Sequence, residues 1–304
     1  MTVTPATPAT PATPTTPVTP ATPLAAPRPR TWLSALPAKY YSTILITLIL
    51  VVGQFTGGIV GGFERMAVAL GVSLVAEVVL SRLLRGVWPS LLSAYISGNS
   101  VAILTKPAPG LLWPYWMGGL ISIMSKYVLT YRNRHLWNPT NFSFSALLLL
   151  APGSMSLLSH QWGNDQATWA VMAVGLLVVW RAKLLHITGT YVLAFAALSW
   201  LRAAIAGGSF VTEVAPLTGP MYMLLIFFML TDPRTVVSTR RGRVIVTLLV
   251  ALLEFVFRLL PTLGIGLGPI ETAPPIFALA IVGPLAMWLD LRRKPPPAPR
   301  PAAG

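Results

Sequence analysis

Two carboxylates, Glu77 and Glu254, stand inside long apolar runs, where an ionised side chain is costly unless it is paired. Each is therefore a candidate ion or proton relay. Arg258 follows Glu254 by one helical turn, so a structural ion pair is an equal reading there. Glu77 precedes Ser81 and Arg82 and can instead reach toward the membrane surface. Three further stretches combine polar groups with helix breakers: Ser97-Gly98-Asn99, Asn138-Pro139-Thr140 and Thr231-Asp232-Pro233. Breaks of this kind free backbone N–H and C=O groups that hydrocarbon cannot satisfy, so they belong inside protein or along a polar cavity. Their helix N-termini can also aim N–H donors at a ligand edge or phosphate. Asp232, at such a bend and followed by Arg234, Arg240, Arg241 and Arg243, is expected to accept N–H bonds from the next turn and to pair with one of those arginines.

The chain has no cysteine, which excludes disulfides, thiolate-held iron–sulfur clusters and cysteine nucleophiles within it. A redox centre here would be organic or held by nitrogen and oxygen. The three histidines, His135, His160 and His186, read as surface or structural groups rather than a ladder of haem ligands. No metal-ligand spacing, Gly-rich nucleotide loop or Ser/His/Asp arrangement occurs.

The elements that must position these residues are membrane helices. Of 304 residues 54% are hydrophobic and 10% charged, where a soluble domain carries about 25% charged. Apolar segments fall at 40–62, 66–84, 88–104, 111–131, 137–159, 166–180, 184–206, 214–231, 243–260 and 273–291, each near the length needed to cross about 30 Å of hydrocarbon. The pattern predicts an all-α integral membrane protein of about ten transmembrane helices, with the lipid bilayer as its solvent. Ten crossings with the N-terminus inside place all of the lysines and arginines except Arg65, Lys106, Arg202 and Arg258 at cytoplasmic ends. Both termini are then cytoplasmic and the protein sits in the cell membrane. The net charge of +14 follows from that topology and does not point to nucleic acid. Residues 1–38 form a Pro/Thr-rich tail and 294–304 a Pro-rich one, both expected to be disordered. The aromatic residues near the segment ends, among them Tyr115, Tyr127, Trp169, Trp180 and Trp200, read as an interfacial belt.

The breaks recur in order. Thr105-Lys106-Pro107 closes the third segment on the outside and Thr231-Asp232-Pro233 the eighth on the inside. Asn138-Pro139 opens the fifth segment from inside and Ala273-Pro274 the tenth from outside. Equivalent elements five crossings apart with opposite orientation are the pattern of two five-helix inverted repeats with broken helices, here about 40–160 and 164–291.

The stretch Phe227-Phe228-Met229-Leu230-Thr231-Asp232-Pro233 resembles the signature of the membrane-subunit family that contains the D subunit of Rnf electron-transport complexes and the B subunit of sodium-pumping NADH:quinone reductase. Ser97 through Pro107, Lys126 with Trp137-Asn138-Pro139-Thr140, and Glu271 to Asp290 resemble other parts of that family in the same order. The resemblance implies a ten-helix inverted-repeat fold, partner redox or membrane subunits, and a part in flavin-linked electron transport that can be coupled to ion movement. In the family a flavin phosphate is tethered to a threonine in a Ser/Gly-Ala-Thr motif on an outer loop. The comparable triplet here is Gln166-Ala167-Thr168, which doubles as a helix start beside Asp165. Non-covalent FMN or riboflavin, held at Ser97-Gly98-Asn99 and Asn138-Pro139-Thr140, is the other arrangement. The family's Gly-rich approach to Asn-Pro is replaced by Tyr131-Arg132-Asn133-Arg134-His135. Two alternative functions suit the same features: a non-redox channel or transporter, and an accessory membrane protein of a secondary-metabolite pathway, as in the family's enediyne-associated branch.

Overall fold

A computed structural model of the chain describes residues 38–58, 61–158 and 166–293. In chain order the helices are α1 (Ala38–Gly57), α2 (Phe63–Arg85), α3 (Leu92–Leu104), α4 (Trp113–Val128), α5 (Pro139–Leu150), α6 (Gln166–Arg181), α7 (Leu185–Ala206), α8 (Phe210–Val214), α9 (Pro220–Leu224), α10 (Arg240–Thr262) and α11 (Pro274–Arg292). Four short strands, β1 (Thr105–Pro107), β2 (Thr130–Tyr131), β3 (Arg134–His135) and β4 (Met155–Leu157), pair antiparallel as β1 with β4 and β2 with β3. The two Pro-rich tails, His160 and the loop before α6 lie outside the described residues.

Among the described residues, four helices are long and apolar enough to cross a membrane: α2, α7, α10 and α11. A fifth crossing results if the bent pair from Phe210 to Met229 counts as one span. The expected crossings at 88–104 and 137–159 are shorter helices than the apolar runs suggest. Helix α3 has 13 residues and α5 has 12, or about 20 Å each. Both segments then turn extended, and β1 and β4 pair with each other, with Leu158 N–H donating to Leu104 O at 2.8 Å and Ala108 N–H to Ser154 O at 2.9 Å. Pro107 and the turn at 152–154 stop helix growth, and the ribbon satisfies the backbone groups that would otherwise face lipid.

Local sequence accounts for the other boundaries. Asn138 caps α5 by accepting from Asn141 N–H, with Pro139 in the first turn. Thr239 caps α10 in the same way through Gly242 N–H. The segment at 214–231 is broken as expected. Helix α8 passes through a tighter turn at Ala215–Thr218, then Gly219 is extended (φ −87°, ψ 154°) and the chain bends by 60° into α9. Pro220 disfavours the helical conformation at the residue before it. Helix α9 continues over Leu225–Met229 with π-type hydrogen bonding, a widening that often accompanies functional sites.

Helix α2 packs on α3 and α4, and α4 packs on α5; α7 packs on α10, and α10 on α11. Helix α1 meets α6, α5 meets α11, and α3 meets α9. Gly98 permits the α2 to α3 contact, because a Cβ there would lie 2.9 Å from the Leu70 Cα. The core runs through all these interfaces and includes Leu45, Val101, Tyr115, Phe144, Tyr191, Met223 and Phe277. Tyr115 does not join an interfacial belt. It is fully buried and its hydroxyl donates to Thr105 O at 3.1 Å.

Candidate functional site: a polar cavity at one end of the bundle

A cavity of about 590 Å³ opens where α1, α3 and α5 begin and α2, α4 and α6 end. It lies in the size range of small-molecule and cofactor pockets. Helix α2 contributes Glu77, Ser81 and Arg85, the following loop Trp88 and Ser90, and α3 Ser93, Ser97 and Ser100. Tyr127 ends α4, His135 comes from β3, and Asn138, Pro139 and Thr140 open α5. Phe227, Phe228 and Met229 come from the π-type turn, followed by Thr231, Asp232, Pro233 and Arg234. The three polar breaks of the sequence thus meet at one place. Gly98 and Asn99 do not line it: Gly98 faces α2, and Asn99 is fully buried with its Nδ2 on Tyr95 O. The Thr168 side chain lies outside the described residues.

Asp232 organises the floor. Its Oδ1 accepts from Arg234 N–H at 3.0 Å, and its Oδ2 accepts from Thr235 Oγ1 and Asn138 Nδ2, both at 3.2 Å. Bonds from the following turn are therefore present. The expected arginine partner is replaced by Asn138, whose Oδ1 is meanwhile capping α5, so one amide and one carboxylate join the α9 turn to the start of α5. Arg134 adds a second tie by donating to Pro233 O at 3.0 Å and Arg234 O at 3.2 Å. The β2–β3 hairpin that carries it turns through Arg132 and Asn133, both in the left-handed region (φ 50° and 60°). Asparagine accepts that conformation readily, whereas arginine carries a strain of about 1 kcal/mol, offset here by its bond to Leu291 O at 2.8 Å.

On the opposite wall Glu77 is held from two sides. Lys126 Nζ lies 3.0 Å from Oε2, and Tyr127 donates to Oε1 at 3.1 Å. Arg85 stacks over the Tyr127 ring at 4.4 Å, and Arg82 over Trp88 at 4.8 Å. Phe227 reaches the wall because Gly175 of α6 leaves room for its ring.

Several lining residues carry no mark of a site in the sequence, His135 above all. Its Nδ1 is buried and has no hydrogen-bond partner among the described residues. Burial pushes the imidazole below its ordinary pKa, and the Asp232 carboxylate offsets that only in part. The one signal for it is its place just before the Asn-Pro break, in a stretch that reads as a loop. Among the described residues no group of three or more His, Asp or Glu side chains is arranged to hold a metal ion.

Glu254 does not line this cavity. Arg258 does not pair with it. Both carboxylate oxygens accept from phenols, Oε2 from Tyr191 at 2.5 Å and Oε1 from Tyr222 at 2.6 Å. Arg258 instead donates to the Glu213 carboxylate at 2.8 Å, to Glu213 O at 2.9 Å and to Ser199 Oγ at 3.4 Å, and Arg202 pairs with Glu213 as well.

Helices, ribbon and cavity define a multi-pass, all-α membrane protein with a polar, aromatic-walled pocket at one end. No family model matches the chain. Over part of its length it is similar to the D subunit of the ion-translocating oxidoreductase complex of several bacteria. Identity is 34% over 110 residues with the Yersinia pestis protein, 34% over 107 residues with that of Cronobacter sakazakii, and 35% over 107 residues with that of Citrobacter koseri. Each match covers 35% of this chain and 29% of the relative. These relatives agree with the family resemblance that starts from Thr231-Asp232-Pro233.

Proposed function

We propose that this chain is a membrane subunit of a flavin-linked electron-transport complex and that its cavity holds FMN or riboflavin non-covalently. The observation that carries the reading is the meeting of three polar breaks, around Ser97, Asn138 and Asp232, on one pocket. The donor set suits a flavin. Trp88, Tyr127, Phe227 and Phe228 offer aromatic surface, the His135 imidazole a polar edge, and Arg85 and Arg234 positive charge for a phosphate. A flavin bound there would supply one- and two-electron chemistry. This chain's own residues bind and orient it, and Asp232 with Asn138 keeps the floor in place. Electrons would have to come from and go to partner subunits, since the sequence carries no cysteine and no nucleotide-binding loop.

The same reading takes the helical segments as two five-segment halves of opposite orientation. Support comes from matched packing: second on fourth and fourth on fifth within each half, and first on first, third on third and fifth on fifth between them. The cavity end is also the arginine-rich end, which favours a cytoplasmic pocket.

Riboflavin and FMN titrated into the purified full chain, followed by quenching of flavin fluorescence, test the proposal. Saturable binding is expected, at least tenfold weaker in His135→Ala and lost when Ser97→Phe fills the pocket. Binding that is absent, or unchanged in both variants, would overturn it.

A further inference from the structure

Glu77 and Glu254 are both buried carboxylates within the bundle, yet their partners differ in kind. Glu77 has an ammonium at 3.0 Å, a partner that can donate but not accept. Glu254, fully buried, has only hydroxyl partners among the described residues. An N–H or ammonium can only donate, whereas a phenol can donate to a carboxylate or accept from a carboxylic acid. The two tyrosines can therefore serve either protonation state of Glu254. The cation that could have locked it, Arg258 one turn along the same helix, is held by Glu213 and Ser199.

We propose that Glu254, Tyr191 and Tyr222 form a proton-binding site inside the bundle, at which one proton is taken up and released. The charged groups around it are Arg258 on its own helix, Arg202 on α7 and Glu213 on α8, while Tyr191 comes from α7 and Tyr222 from α9. Glu213 lies between the two arginines and neutralises one of them. The remaining positive charge is balanced while Glu254 is ionised and unbalanced once it is protonated. On uptake the proton bonds to a carboxylate oxygen, that O–H donates to a phenol oxygen, and the phenol turns its own proton away. On release the phenol turns back. A proton fits better than a metal ion, because the site offers four oxygens from three side chains, two of them carboxylate oxygens already bonded to phenols, where hard cations take six or more oxygen ligands. Tyr222 lies on the short helix whose π-type continuation supplies Phe227 and Phe228 to the cavity, so movement of α9 would be felt at both places. The site does not depend on a flavin in that cavity.

Infrared difference spectra of the flavin-free full chain in lipid nanodiscs, recorded between acidic and alkaline buffers, test the inference. A pH-dependent carboxylic-acid C=O band is expected in the native protein, lost in Glu254→Gln and kept in Glu77→Gln. Tyr191→Phe and Tyr222→Phe each remove a donor to the ionised form, so each should raise the midpoint of that band by about one to two pH units. A band that survives in Glu254→Gln, or no titrating band at all, overturns the inference. Should Glu254→Gln fail to fold, a midpoint unmoved in both phenylalanine variants overturns it equally. None of these readouts involves flavin, so failure here leaves the cavity's assignment standing, and the reverse.

Discussion

Replacing Lys126 by methionine probes how far the Glu77 wall depends on a locked ion pair. The Lys126 side chain is 3% exposed and that of Glu77 is 11% exposed, with Nζ and Oε2 3.0 Å apart. Removing one member of such a pair leaves an uncompensated buried charge and costs about 3–5 kcal/mol. Glu77 keeps the Tyr127 hydroxyl at 3.1 Å and borders a cavity that water can enter, which places the loss near the lower end, about 3 kcal/mol. Methionine has a volume close to that of the lysine stem, so no large void adds to it. The double variant Lys126→Met/Glu77→Gln removes the stranded charge, and should recover all but about 1 kcal/mol. Unfolding midpoints in mixed detergent micelles, followed by tryptophan fluorescence, give the comparison. A single variant that loses less than about 1 kcal/mol, or a double variant no more stable than the single, would refute the reasoning.

Asp232→Ala removes three hydrogen bonds at once and should lower stability by about 2–4 kcal/mol. Asp232→Asn keeps the Arg234 N–H acceptor and should lose about half as much, both read as folded yield by size-exclusion chromatography. For His135, burial depresses the folded pKa, so the unfolded chain binds more protons between that lowered value and about 6.5. Stability should therefore rise with pH through this window and level off above it. His135→Gln should flatten that part of the pH profile, and an unchanged slope would remove His135 as its source. Gly98→Ala pushes a methyl group against the Leu70 backbone and should cost about 1–3 kcal/mol, measured as the same unfolding midpoint. A neutral result would mean that α2 and α3 separate easily.

Local chemistry is legible in the sequence wherever one residue type decides the backbone. Pro220 announces the bend before it, Asn138 and Pro139 the start of α5, and Asp232 the turn that follows it. The lengths of α3 and α5 are not legible: the apolar run of α5 continues through the strand Met155 to Leu157, while α3 begins only at Leu92, after a loop that includes Trp88 and Pro89. Partner choice is also hidden. Arg258 is Glu254's neighbour along the helix, but its guanidinium is taken by Glu213, a residue on another helix. Nothing in the spacing of Tyr191, Tyr222 and Glu254 foretells that three helices bring them within hydrogen-bond reach. The Asn138 side chain reaching Asp232 is the same case at the cavity. Motifs can be found singly, and only packing shows which ones meet.

The pairing of β1 with β4 also constrains how the protein is made. Lys106 finds its strand partner in Ser156, 50 residues further along the chain. A nascent chain halted before Met155 holds α3 as a 13-residue helix, too short to bridge the bilayer, with strand N–H and C=O groups still open to lipid. The pairing of β1 therefore waits on residues not yet synthesised, and the ribbon that joins the ends of α3 and α5 can close only after Met155 to Leu157 have been made.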